Sequence, residues 1–450
     1  MGKRQITLIL KYFLIFPQII QIIYGYEEFG QRLDYISLPY KETKNITCVA
    51  HDASFICDCH NVDENLFLPQ LDGNVFQVLV RNCESIEVGP YLLENVQGLR
   101  TVTFQNIRDL KLNQNSLAYQ SINGYRRLTF DQVQTIEINS HAISGNIEEI
   151  IFQSSGIQNI QPYGITTKSS NGIIKFDSTY IDVIDRHAFK KFTMEQLIIT
   201  NTVLTSNLPS QSFYEIKTQQ LLIQNVTFKE VYFNAFHFEE ISMAVIRDNN
   251  FIKVNSDWIS AGIKSGVIIE NNNFGETNRL AFAGLYQHKD YVKSTKMELR
   301  LNENIIRQVL NYNEDVQPLK LDDNFNIMIR NLTYLNNFPC HIKDKLDKNS
   351  FYKIFSDTVY FQSKTEPIKL QSVRRILETE CEEISYLPYI IGGSVALIIL
   401  LILITALIIW YIMRKRAAQK LNINNPEPRT YEETQIVLKV ENAGLLKTDL

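Results

Sequence analysis

The chain has 450 residues, of which 45% are hydrophobic and 11% aromatic, and its formal net charge is −4. So much apolar and aromatic content excludes a disordered chain. A near-neutral balance without a basic stripe argues against nucleic acid as a partner.

The N-terminus opens on Lys3 and Arg4, followed by a mostly apolar run from Ile6 to Ile23 that Lys11 interrupts. A basic start, an apolar stretch and the small residue Gly25 predict a secretory signal peptide over 1–25.

Cys48, Cys57, Cys59 and Cys83 precede the repeats described below, and Cys340 and Cys381 follow them. An even count in a segment expected outside the cell predicts disulfides, clustered at each end. Cys57-Asp-Cys-His60 is alternatively a fragment of a metal site, although an oxidising compartment favours disulfides. Asn45-Ile-Thr, Asn225-Val-Thr and Asn331-Leu-Thr are glycosylation sequons on that same expected side.

A period near 24 organises the middle of the chain. Val80, Phe104, Phe130, Phe152, Phe176, Ile199, Ile223, Ile246 and Ile269 recur at steps of 22 to 26, and Leu301 and Leu321 extend the series after a longer gap. Two apolar residues alternate in each central unit, as in Ile150 and Phe152. Another apolar residue follows five later, as at Ile181, Leu204, Phe228 and Phe251. A small-plus-aromatic pair such as Ala188-Phe189 or Ala235-Phe236 closes the unit. No unit can bury its apolar edge alone, so stacking into a solenoid is predicted over 85–335.

Ile246-Arg-Asp-Asn249-Asn-Phe251, Ile269-Glu-Asn-Asn272-Asn-Phe274, Leu299-Arg-Leu-Asn-Glu-Asn304 and Leu319-Lys-Leu-Asp-Asp-Asn324 carry a further pattern. It resembles the extracellular leucine-rich repeat, LxxLxLxxNxLxxLxxxxF. The resemblance implies a stacked parallel sheet, α/β or mainly β, with capped ends, and an Asn that satisfies backbone groups at a turn. The first four cysteines look like the family's N-terminal cap, here 26–84. The last two look like a reduced C-terminal cap, here 336–388 with the juxtamembrane stalk. Departures exist: Ser155, Thr179, Thr202 and Val226 replace the Asn, and the units at Val80, Phe104 and Phe130 suit a parallel β-helix equally well.

In a strand of this grammar the residue between two core positions points outward. Ile151, Lys175, Ile198, Leu222, Val245 and Ile268 hold that position. The five apolar ones predict a ribbon for partner binding. The next outward position is polar throughout, from Gln153 to Glu270.

No catalytic constellation stands out, and no cofactor or metal is expected. His141, His187, His237 and His288 lie in the repeats in unrelated local contexts. No HExxH or phosphate-binding Gly-rich motif occurs.

From Ile390 to Met413 the chain is apolar and uncharged, and Arg414-Lys415-Arg416 follow. A transmembrane helix over 389–413 is predicted, with its C-terminal side cytoplasmic. The tail, 414–450, is too short for a large signalling domain. Its end, Thr448-Asp449-Leu450, resembles a ligand for PDZ scaffolds. Glu441 with Leu445 and Leu446 resembles an acidic dileucine signal for clathrin adaptors. Tyr431 precedes two glutamates and is a candidate for phosphorylation.

These readings converge on a single-pass plasma-membrane protein that recognises an extracellular protein or a copy of itself. A carbohydrate-binding or carbohydrate-processing β-helix and a structural component of an apical or barrier surface are the alternatives.

Overall fold

β-Branched and aromatic residues alternate with polar ones through the middle of the chain, a pattern that suits pleated, half-buried strands. The computed structural model describes residues 47–60, 65–119, 121, 124–289, 296–310, 319–346, 351–364, 369–381 and 387–424. Two units result, Met1–Cys381 and Glu382–Leu450.

The first unit is a mainly β solenoid of about twelve turns, in which each strand pairs in parallel with the strand one turn on. The strands lie on three faces. The first face runs in register through Cys57, Val80, Phe104, Phe130, Phe152, Phe176, Ile199, Ile223, Ile246, Ile269, Leu301 and Ile329. The second face aligns Ile157, Ile181, Leu204, Phe228, Phe251, Phe274 and Ile306. The third is short and aligns Phe189, Phe213, Phe236 and Ile259. Among the described residues the repeats carry strands and turns without an α-helix, so mainly β, and not α/β, is the observed class.

The period predicted the first-face column up to Leu301. Leu321 does not continue it; Ile329 does. Leu319 and Leu321 still point inward, but Lys320 between them donates its N–H to the Arg279 carbonyl at 3.0 Å. They therefore belong to the turn before the strand Asn326–Arg330.

Parallel pairing begins at Ser54, within 26–84, and reaches Gln362, within 336–388. Antiparallel strands flank it: Thr47–His51 beside Ser54–Asp58, and Leu370–Ser372 beside Val359–Gln362. The helix Val373–Thr379 follows, with Ser372 as its N-cap.

Phenylalanines stack along the interior. Phe104, Phe130, Phe152 and Phe176 lie nearly parallel, with centroids 5.5, 4.7 and 4.9 Å apart. Phe189, Phe213 and Phe236 repeat this at 4.4 and 4.7 Å, and Phe228, Phe251 and Phe274 at 4.8 and 4.9 Å. The coil repeat, about 4.8 Å, equals a stacking distance.

Among the described residues the second unit consists of one helix, Leu387–Asn424, whose segment Ile390–Ala418 is long and apolar enough to cross a membrane. It continues past Met413 through the basic triplet, so the helix outruns the predicted 389–413.

Candidate functional site

The predicted ribbon forms on the first face. Ile198, Leu222, Val245 and Ile268 are direct axial neighbours. Ile151 stands further along the same row, with Lys175 between it and Ile198. All five apolar residues are half-buried, so no described segment covers them completely.

Polar side chains brace one flank of the row. Arg247 donates to Gln224 Oε1 at 2.9 Å, and Gln224 Nε2 donates to Asp248 Oδ2 at 3.2 Å. Near Lys175, Thr200 donates to Asp177 Oδ1 at 3.0 Å, and Lys175 Nζ lies 3.0 Å from the other oxygen. Burial by itself would raise the Asp177 carboxyl, but hydrogen bonds from Asn201, Lys175 and Thr200 outweigh it and hold the group below its ordinary value. The result is a firm surface: one apolar row beside an ordered polar one.

The chain turns from the first face to the second through a residue with positive φ. Asn82, Asn106, Asn201, Asn225, Asp248, Asn271 and Asn331 occupy this position, and Gln132, Ser154, Ser178 and Glu303 hold it in the remaining turns, with φ between 48° and 60°. Asn and Asp tolerate that region better than most L-residues. The sequon residues Asn225 and Asn331 are both there and exposed. Asn225 donates to Asn201 Oδ1 at 2.8 Å, which uses one of its two amide hydrogens. Asn45 lies outside the described residues.

Directly after this turn the buried asparagines form a ladder. Asn249 Oδ1 accepts from the Val226 N–H at 2.9 Å, and its amide donates to the Ile223 carbonyl at 3.0 Å. Asn272 and Asn304 repeat the arrangement one and two turns on. Where the Asn is missing, hydroxyls do part of its work: Ser155 Oγ accepts from the Val133 N–H at 3.1 Å and donates to the Phe130 carbonyl at 3.3 Å, and Thr179 donates to the Phe152 carbonyl at 3.3 Å. Val226 is buried, and Asn249 takes its N–H from the next turn.

Disulfides join Cys48 to Cys57, Cys59 to Cys83 and Cys340 to Cys381. Two at one end and one at the other is the predicted grouping. With Cys57 and Cys59 in separate bridges, the alternative of a metal site at Cys57-Asp-Cys-His60 is overturned.

The histidines correct the sequence reading. His141, His187 and His237 share one line of rings with Tyr163 and Tyr214. His141 stacks on Tyr163 at 5.1 Å, and Tyr214 stacks on His237 at 5.3 Å. His187 stands between the two tyrosines at 6.5 and 5.1 Å. Lys190 Nζ lies 5.0 Å from the Tyr163 ring centre and 5.4 Å from that of Tyr214. Burial lowers the His187 pKa; the Gln211 hydrogen bond opposes this, and Lys190 and Arg186 lower it further. Spacings of 46 and 50 residues between the three histidines are each about two coils, the one signal in the sequence. Rings stacked along the solenoid axis turn mainly their edges outward, so this row offers a poor platform for sugar stacking.

Tyr431, Glu441, Leu445, Leu446, Thr448 and Leu450 lie outside the described residues, as does the predicted signal peptide. Comparison with protein-family models, with curated proteins and with solved structures gives no match.

Proposed function

We propose that this chain is a single-pass cell-surface recognition protein whose solenoid binds an extracellular protein, or a second copy of itself. Contact is through the row Ile198, Leu222, Val245 and Ile268, extended by Ile151. The observation that carries the reading is the unbroken run of four half-exposed aliphatic side chains beside a hydrogen-bonded polar row. Apolar surface gathered in this way marks interaction sites, and a firm polar flank limits the entropy lost on binding.

Three disulfides and one membrane-length helix support an ectodomain outside the plasma membrane. The basic triplet after the helix supports a cytoplasmic C-terminus. The tail is then the coupling element, through Thr448 and Leu450 to PDZ scaffolds, or through Glu441, Leu445 and Leu446 to clathrin adaptors. Kinship with leucine-rich repeats is part of the same proposal and is supported by the Asn249, Asn272 and Asn304 ladder. Strands on three faces, by contrast, suit the β-helix description. Binding, not catalysis, is the proposed activity.

The test is proximity labelling on intact cells with the full-length protein and its Leu222→Asp/Val245→Asp variant. A milder Leu222→Thr/Val245→Thr pair keeps β-propensity as a control for folding. Neighbours or self-association lost in both folded variants support the reading. An unchanged neighbour set in the variants sinks it.

A further inference from the structure

We propose that a groove beside Phe76, Arg100 and Arg126 binds an acidic sugar. The site is independent of the ribbon reading, and its test does not depend on it.

Arg100 and Arg126 are axial neighbours one turn apart; Arg126 donates its N–H to the Arg100 carbonyl at 2.9 Å. The adjacent position, in register, pairs Thr101 with Arg127. Both arginine side chains are exposed. Like charges directly opposite on neighbouring strands are destabilising. Elsewhere this solenoid matches such neighbours with opposite charge: Arg81 with Asp58, Arg127 with Glu149, Lys191 with Glu215, Lys253 with Glu230. The Arg100–Arg126 pair breaks that rule, and among the described residues neither side chain forms an ion pair with an acid. Glu148 stands on the far side of Arg126 and lines the same groove without pairing to it.

The groove measures about 310 Å³. Tyr119 and Tyr125, both buried, contribute to its wall together with Gly98 and Gly124. Gly98 has φ +72°, and a Cβ there would come within 2.6 Å of the Phe76 ring. Phe76 is 44% exposed, and the Arg100 guanidinium stacks against it at 5.3 Å, which holds the donor fork in place. Two forks are suited to an oxyanion, because guanidinium binds carboxylate or sulfate through paired hydrogen bonds. The open part of the Phe76 ring suits the C–H face of a sugar, and Glu148 suits its hydroxyls. An acidic peptide would use the arginines but has less use for the ring.

The test measures binding of the full-length protein in detergent to immobilised polysialic acid, hyaluronan and chondroitin sulfate, with neutral dextran and poly-glutamate alongside. Arg100→Gln/Arg126→Gln should weaken glycan binding about tenfold or more, the loss expected of a charge-assisted bidentate pair. Lys229→Gln/Arg307→Gln removes the same charge on the second face and should change nothing. Retention of polysialic acid or hyaluronan identifies the carboxylate, and retention of chondroitin sulfate alone identifies the sulfate; either supports the site. Four results overturn it: no glycan retained, equal retention of poly-glutamate, equal loss in the control pair, or full binding by the Arg100→Gln/Arg126→Gln variant.

Discussion

The ring of Phe176 meets the ring of Phe189 edge-on, with centroids 6.1 Å apart and planes at 87°. Phe176 ends the aromatic column of the first face, and Phe189 begins that of the third. A second edge contact, Phe228 to Phe236 at 6.2 Å, links the third face to the second. The large side chains thus change sides without a turn that is crowded by aromatics on every face, as close packing at constant cross-section requires.

Truncation inside a column should be severe. Phe152 is fully buried between Phe130 and Phe176. Phe152→Ala is expected to cost about 3–5 kcal/mol, the usual range for a buried Phe replaced by Ala. Denaturant unfolding of the variant measures it, and a loss below about 1 kcal/mol would contradict the packing.

The Asn ladder should tolerate a hydroxyl better than a methyl. Asn249→Ala strands the Val226 N–H and the Ile223 carbonyl, at about 1–3 kcal/mol for each unsatisfied buried group. Asn249→Thr imitates Thr179, whose hydroxyl donates to the Phe152 carbonyl of the preceding turn, and should recover part of that loss. Thermal midpoints that rank Ala above Thr would show that the side-chain hydrogen bonds do not hold this corner.

Acid should loosen the His187 corner. Its folded pKa lies below the ordinary 6.5, so the unfolded chain takes up the proton first. The stabilisation from neutral His187 is complete above pH 6.5 and fades as pH falls through 6.5 toward the folded value. His187→Gln should therefore show a smaller drop in thermal midpoint between pH 7.5 and 5.5 than the parent. Equal drops would refute this.

Glycan mapping reports on topology. If the solenoid is extracellular, enzymatic deglycosylation should shift the protein, and Asn225→Gln and Asn331→Gln should each remove one step of that shift. An unshifted band in cells that glycosylate a control protein counts against the orientation.

Much of the fold was legible in the chain itself. Alternation set which side chains face inward at Ile150 and Phe152, and the 24-residue spacing announced stacking. The apolar run before Arg414 marked the membrane-length helix. Disulfide partners were beyond such reasoning, because Cys57 and Cys59 are near one another in sequence yet join different strands. The line through His141, Tyr163 and His187 escaped too: its steps are 22 and 24, one coil each, but tyrosine alternates with histidine in it, so the histidines taken alone show only a two-coil spacing.

Local pattern, then, settles whether a residue points in or out, because that follows from backbone geometry within one strand. Which residues meet along the axis is decided by the length of each coil and the volume its neighbours must fill. That is why Ile329, and not Leu321, lies against Leu301, and why Arg100 comes to stand beside Arg126.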